Sequence, residues 1–566
     1  MIYKINVRNL ISFIFLFGNF INKVLGFFMV FFHLVIFVFS MNFLNYGNIL
    51  FYFNIEEIFG IDVSLRFLID FFSLFFSIIV CLITGVVMGY SLFYIRFLIT
   101  WRFVYLVFLF SVSILILIFR GNFFSIILGW DGLGVISFAL VVYYQNEIRV
   151  KRGLLTIFIN RFGDGAIIFF ICMFFSYETF FFLVGLQDDY FVLGTFLFFL
   201  GCFTKRAQFP FISWLPAAMT APTPVSSLVH SSTLVTAGIY LMIRFNLLFF
   251  DIYIYNMVII FGLLTIGIGG FLAIVEVDFK KIVAFSTLRQ LGLLVFILRF
   301  GEINICFFHL LSHAIFKSFL FIMCGIFISM RFGIQDIRLI GIKFIGRGLF
   351  ILIILFSCLN LSGFPLTIGF LSKDLMLESF IGGYMNVIFF VFFIVFCCFT
   401  VCYRLKLFFF IIVLIKSGFT FYGMEFFFNG KVWLIFLFFF IIIWGIILEE
   451  ILIEDNLFSF VQDFKIMDLV IFSLGLFFFK NINYFLNLGY IVSDYFWISV
   501  FLRFLGNLFY NLGLFLNFNF SFFFDYFYYF GMNFYLNYKF DLMIYLFDMK
   551  NYWYLLFFIF LFLYIY

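Results

Sequence analysis

Long apolar runs separated by short polar connections repeat along the whole of this chain, most of them near the ~20 residues that cross a bilayer as a helix. Runs at 24–41, 68–95, 103–119, 123–144, 154–176, 190–203, 206–219, 224–248, 257–275, 282–299, 303–330 and 345–362 predict membrane-spanning helices. Further runs at 363–380, 386–415, 432–448, 466–479 and 552–566 extend the series. The charged connections QNEIRVKRG (145–153), EVDFKK (276–281) and EEILIED (449–455) are expected at the membrane surface. Between 481 and 550 the pattern changes: Asn, Tyr and Phe dominate and charges are sparse. A long interfacial helix and a lipid-contacting aromatic belt both fit that stretch.

Composition fixes the class. Of 566 residues 66% are hydrophobic and only 11% charged, against the roughly 25% charged residues of soluble domains. The chain reads as one polytopic membrane domain. Its net charge of +5 is spread over the connections without a basic block, so nucleic acid is not an expected partner. The nine cysteines lie mostly inside apolar runs, at no spacing that suggests a zinc, haem or iron-sulfur site. Lys4 and Arg8 precede an apolar run at 10–21, but no small-residue cleavage site follows it. The 111 Phe beside five Pro point to thymine-rich coding and hence to an organellar genome.

All five prolines fall in two windows, Pro210, Pro216, Pro222 and Pro224 in one and Pro365 in the other, and each window carries a lysine. A proline within a helix removes a backbone hydrogen bond, a loss tolerated in lipid only where protein or water satisfies the groups set free. Broken helices beside charges are a signature of ion transport. In the first window, TKRAQFPFISWLPAAMTAPTPVSSLVHSSTLVTAGIYL, Lys205 precedes Pro210 and His230 follows Pro224. Pro210 is expected to clash with the Arg206 carbonyl and break the helix there, and Thr223–Pro224 suits the start of the next helix. Lys205 and His230 are then expected to face each other across a polar seam. Desolvated lysines release protons more readily and histidines titrate near neutrality, which suits a relay. The alternative is a lysine snorkelling from a helix end and a histidine bonded to backbone.

Three other segments carry candidate chemistry. Asp131, in LGWDGLGVISFALVVYY, is either a costly intramembrane carboxylate or an interfacial acid favoured by the helix dipole. Arg161 and Asp164, in NRFGDGAII, share a helical face and can pair, at depth or at the surface. In FFHLLSHAIFKSFLF, His309, His313 and Lys317 recur every four residues, an advance of about 40° per step that lines them along one face. A metal pair at the two histidines is the rival reading there, opposed by the lysine cation. The second proline window, LNLSGFPLTIGFLSKDLMLES, follows Pro365 with Lys373, Asp374 and Glu378.

WDGLG, NRFGD, the block from Thr204 to Gly238, DFKKIVAFST, FFHLLSHAIFKSFLF and GFLSKD together resemble the chain 5 family of NADH-ubiquinone oxidoreductase, the distal antiporter-like membrane subunits of mitochondrial respiratory complex I. The match is dense from 120 to 380 and thin before 60 and after 400. The resemblance implies an all-α polytopic membrane fold of about 16 transmembrane helices, with two inverted five-helix repeats that each contain a discontinuous helix. It also implies the divisions: amino-terminal helices at 1–120, an antiporter-like core at 121–385, carboxyl-terminal helices at 386–480, a lateral helix at 481–550 and an anchoring helix at 551–566.

By the same resemblance Asp131 is the key carboxylate, Lys205 the first-half lysine and His230 its partner. His309, His313 and Lys317 bridge to Lys373, the second-half lysine, while Arg161 and Asp164 tune the row and Pro210 and Pro365 shape it. The implied task is proton translocation along a buried Asp/Lys/His axis, coupled to NADH:ubiquinone electron transfer in partner subunits. The chain has no dinucleotide fingerprint, flavin site or cysteine cluster of its own. NADH, FMN, iron-sulfur clusters and ubiquinone are accordingly expected in the partners. Those partners would be the other membrane-arm subunits of complex I, neighbouring antiporter-like chains above all, with lipids such as cardiolipin. The implied location is the mitochondrial inner membrane, multi-pass. Three departures from the family pattern stand out: Asp131 in place of the more usual Glu, and Arg206 and Arg289 where small polar residues are usual. Arginine does not release its proton, so each either pairs with accessory subunits or lipid, or perturbs the row. Two other functions are compatible with the same motifs, a sodium/proton antiporter subunit and a non-conducting scaffold of the distal membrane arm.

Overall fold

The computed structural model describes residues 35–36, 49–58, 61–95, 100–175, 189–246, 252–298, 301–330, 333–340, 356–361, 363, 367–382, 387–408, 433–445, 447 and 473–475. The chain divides into two compact units, 1–486 and 487–566. All of the second unit, and with it the expected lateral and anchoring helices, lies outside the described residues. Pro365 and most of the expected spans at 24–41, 345–362 and 466–479 also lie outside them, as do the side chains of Asp374 and Glu378.

The described chain is mostly helical, but it is not all-α. Two strands, β1 (Ile49–Ile58) and β2 (Ile61–Ile69), pair antiparallel with Ile49 opposite Ile69 and Ile58 opposite Ile61. These segments are rich in Ile, Phe, Val and Tyr, which fit a pleated sheet better than a helix, with Gly60 in the connection. The apolar content of 68–95 hid the last two residues of β2 in an expected helix. The hairpin is fastened to the turn between two helices: Leu68 N donates to Phe119 O at 2.7 Å and Gly121 N to Arg66 O at 2.6 Å.

The helices are α1 (Phe71–Tyr94), α2 (Thr100–Ile118), α3 (Phe123–Val141), α4 (Glu147–Phe175) and α5 (Asp189–Lys205). After the short α6 (Trp214–Ala218), α7 (Thr223–Leu228) passes through a π-turn (Val229–Thr233) into α8 (Leu234–Arg244). Then come α9 (Ile252–Val275), α10 (Phe279–Leu298), α11 (Ile303–Met330), α12 (Ile337–Ile340), α13 (Ile368–Gly382) and α14 (Val387–Phe408). Among the described residues eight helical segments are long and apolar enough to cross a membrane. Sequential helices pair as α2 with α3, α4 with α5 and α9 with α10.

Two expectations change. The apolar run at 206–219 is not a span: it turns, and holds only the five residues of α6 as helix. The charged run at 145–153 is mostly the first two turns of α4, whose Glu147 lies in the first turn, where the helix dipole favours an acid.

One ion pair ties the broken helix to the rest of the bundle. Asp70 caps α1 through a reciprocal pair of bonds with Ser73, its carboxylate accepting from Ser73 N at 3.0 Å. The same carboxylate takes both terminal nitrogens of Arg244, the last residue of α8. Tyr240 Oη, which accepts from Arg244 Nε at 3.0 Å, donates in turn to Ile118 O at 3.0 Å. The start of α1 and the ends of α2 and α8 are thus locked at one level.

Candidate functional site

The first-half site is set by how α5 ends. Ala207 takes a positive φ of 54°, Gln208 N donates to Phe203 O at 3.1 Å and Ala207 N to Thr204 O at 3.2 Å. This is a Schellman closure with alanine where glycine is usual. The helix therefore stops at Lys205, one residue before Arg206, where the Pro210 ring was expected to break it, and the turn at Ala207 makes the closure. Trp214 Nε1 also donates to Thr204 O, at 2.7 Å.

Stopping there leaves Lys205 fully buried at 0% exposure. Its Nζ donates to Trp130 O at 2.6 Å, lies over the Trp130 ring at 3.9 Å and sits 3.3 Å from Asp164 Oδ1. Asp164 is buried on α4. Arg161, 46% exposed, bridges the two acids, 3.5 Å from Asp164 Oδ2 and 3.4 Å from Asp131 Oδ1. Asp131, Arg161, Asp164 and Lys205 thus form one chain of alternating charge from the protein surface inward. Gly134 leaves room beside it, since a Cβ there would lie 3.8 Å from Asp164 Oδ2 and 4.0 Å from Lys205 Nζ.

His230 is buried within the π-turn. Hydroxyls open that turn by bonding to carbonyls four or five residues back: Ser232 to Leu228 O at 3.1 Å and Thr233 to Leu228 O at 2.6 Å. The His230 ring lies 5.9 Å from the ring of Trp214, the residue whose indole holds the end of α5. Lys205 meets Asp164 and Trp130, and His230 packs beside Trp214.

In the second half His309, His313 and Lys317 are all fully buried along α11, with the two imidazole rings 6.1 Å apart. His309 Nδ1 bonds Ser372 Oγ of α13 at 2.9 Å, and Lys317 Nζ donates to Ser286 Oγ of α10 at 2.6 Å. Lys373, the neighbour of Ser372, donates to the Leu361 carbonyl. Gly363, at a φ of 70°, turns the chain beside it, and a Cβ there would meet Lys373 Cδ at 3.3 Å. His309 is therefore joined to the residue next to Lys373. Pro210 lies in the turn after Lys205, in a cis peptide with Phe209.

Several participants went unnamed in the sequence reading. Ser286 and Ser372 hold Lys317 and His309. Lys280 is buried and donates to Ala221 O at 3.3 Å. Lys406 of α14 donates to the Ile274 and Glu276 carbonyls at the end of α9. Arg404 is buried too. Ser286 and Lys280 both lie in the DFKKIVAFST motif, so the signal was present without being divided into residues. Arg206 and Arg289 are turned into the helix bundle, the stem of Arg206 against Gly238 and that of Arg289 against Gly270. Neither faces lipid or an accessory chain.

A polytopic helical membrane protein with buried lysines and histidines near an interrupted helix is the class that fold and site define. Residues 121–400 match the family model described as NADH:quinone oxidoreductase/Mrp antiporter, TM. The chain belongs to this family. A relative from Aedes aegypti, named NADH-ubiquinone oxidoreductase chain 5, is 40% identical over 389 residues, covering 67% of this chain and 66% of the relative. Relatives of the same name from Anopheles arabiensis and Locusta migratoria are 44% and 46% identical, covering 50% and 52% of this chain and 76% and 52% of their own lengths. The matched region thus spans about half to three quarters of these relatives. Among solved structures, the Mrp complex from Dietzia sp. gives a TM-score of 0.68 at 22% identity, covering 82% of this chain and 53% of that one. An archaeal membrane-bound sulfane sulfur reductase gives 0.64 at 20% identity, with 76% and 92% covered. These two share the fold.

Proposed function

We propose that this chain is a proton-translocating membrane subunit of respiratory complex I, moving protons along its buried row while partner subunits transfer electrons from NADH to ubiquinone. The observation that carries this reading is the fully buried Lys205–Asp164 pair at the interrupted end of α5, linked by Arg161 to Asp131. The names of the relatives supply the reaction to which the protons are coupled.

Lys205 holds the proton at Nζ, with the Trp130 carbonyl as its acceptor and Asp164 as counter-charge. Unit charges ~4 Å apart interact by about 4 kcal/mol at an effective dielectric constant of 20, roughly three decades in a proton equilibrium. A charge that moves near Asp164 or Arg161 is therefore enough to empty or fill Lys205. His230, then Lys317, His313 and His309 along α11, and finally Lys373 are the next holders, each coupled to its neighbours. The turn at Pro210 follows the first break.

Within the same reading, the chain carries about 16 transmembrane helices in two inverted five-helix repeats. The divisions fall at 1–120, 121–385, 386–480, 481–550 and 551–566, the last two as lateral and anchoring helices. The redox groups, FMN and iron-sulfur clusters, and the quinone site belong to partner subunits. Neighbouring antiporter-like chains and lipids such as cardiolipin surround the chain in the mitochondrial inner membrane, and an organellar genome encodes it.

Proton pumping and NADH:quinone turnover in isolated, assembled complex carrying Lys205→Ala test the reading. Loss of pumping in an assembled complex supports it, and normal pumping at normal turnover moves the chain to the scaffold role. The family description, which includes the Mrp antiporter, supports a sodium/proton antiporter subunit as second reading, and sodium-dependent transport would select it.

A further inference from the structure

Two adjacent lysines at the start of α10 behave oppositely. Lys281 is 34% exposed and pairs with Asp278 at 2.7 Å and Glu276 at 3.8 Å in the charged connection at the surface. Lys280, 3% exposed, turns into the protein and donates to Ala221 O at 3.3 Å. Ala221 is the last residue before Pro222, the N-cap of α7. A buried ammonium has thus been brought to the break in the helix that carries His230.

Beyond that break lies a line of hydroxyls. Thr223 Oγ1 is 3.4 Å from Tyr90 Oη of α1, and both residues are fully buried. Cys324 of α11 is fully buried. The next residue, Gly325, makes the room: a Cβ there would collide with Tyr90 Oη and lie 2.5 Å from Thr223 Oγ1. From Thr223 the polar positions run Ser226, Ser227 and His230, spaced i, i+3, i+4 and i+7, which share one helical face. Ser226 and Ser227 donate to the Thr223 and Pro224 carbonyls at 2.9 Å.

We propose that Lys280 and the Tyr90–Thr223 hydroxyl pair form the access branch by which protons pass between the aqueous surface at 276–281 and His230. The proposal rests on the proton-transfer reading of the row. A proton from water reaches Lys280 Nζ as another leaves it toward the hydroxyl pair. Each hydroxyl releases one proton as it accepts the next, so no heavy-atom bond changes and no electron moves. Ala221 O holds Lys280 in place between transfers.

The test compares Lys280→Met with Lys205→Met in assembled complex in proteoliposomes, reading protons pumped per electron with and without added imidazole as a small proton carrier. Pumping is expected to fall about tenfold in Lys280→Met, short of the ~10²–10⁴ that a positioned proton-transfer group supplies, and to recover with imidazole. Lys205→Met should lose pumping without recovery. Normal pumping in Lys280→Met beside a dead Lys205→Met overturns the access branch alone, and normal pumping in both overturns the reading beneath it. A loss in Lys280→Met that imidazole leaves unchanged makes Lys280 a structural cap and also overturns the branch. If Lys280→Met does not assemble, Tyr90→Phe, which removes one oxygen, gives the same readout: an imidazole-recovered loss supports the branch, and normal pumping or an unrecovered loss overturns it.

Discussion

Lys205 and Lys317 are both fully buried ammonium groups, yet the two halves hold them by different means. Around Lys205 the partners are ionic: Asp164 directly, then Arg161 and Asp131 behind it. Around Lys317 the described partner is a neutral hydroxyl, Ser286, while Arg289 and Arg404 lie within Coulomb range. Lys373 donates to the Leu361 carbonyl. An ion pair can respond to a charge arriving nearby, because either member can be drawn away. A dipole partner fixes the position of a lysine without answering to charge. Among the described contacts, Lys205 thus has an ionic partner and Lys317 a neutral one.

The contrast breaks most readily at Asp164. Asp164→Asn removes the counter-charge of a buried lysine, an uncompensated loss of about 3–5 kcal/mol, seen as a lower thermal midpoint of the isolated complex. Ser286→Ala removes only a neutral partner of Lys317 and should cost about 1–3 kcal/mol. Equal costs would mean that the halves are held alike.

The turns near the two proline windows give a smaller, opposite-signed pair. Ala207 and Gly363 both have positive φ, which costs a residue with a side chain roughly 1–2 kcal/mol. Ala207→Gly should therefore raise the midpoint and Gly363→Ala lower it, with the latter also crowding Lys373. Arg161→Met should have the least effect on stability, roughly 0.2–1 kcal/mol as for exposed pairs, while lowering pumping, because it disconnects Asp131 from Asp164. Unchanged pumping would remove Arg161 from the charge chain.

Much of this was legible in the sequence because charges inside apolar runs are costly and stand out. Lys205, His230, Asp164 and the column His309, His313 and Lys317 were found on that ground, and four-residue spacing placed the column on one face. What held them was not legible. The carbonyl and ring of Trp130, the Leu361 carbonyl and the Ala221 carbonyl have no residue signature, since every residue has a backbone oxygen. Lys280 and Lys281 look alike in sequence, and only packing decides which points inward. The break of α5 near Arg206 is legible from Pro210, whereas the turn that closes it is made by Ala207, a residue with no turn preference. The hairpin at 49–69 lies almost wholly between the expected spans at 24–41 and 68–95, where no element was expected, and only its last two residues fall within a span.

The central claim is that Lys205 gives up its proton. Lys205→Arg tests it most directly, because arginine keeps the charge facing Asp164 and the Trp130 carbonyl but does not deprotonate. In assembled complex with electron transfer intact, fewer protons should be pumped per electron. Unchanged stoichiometry would show that Lys205 is a fixed charge and would contradict the claim.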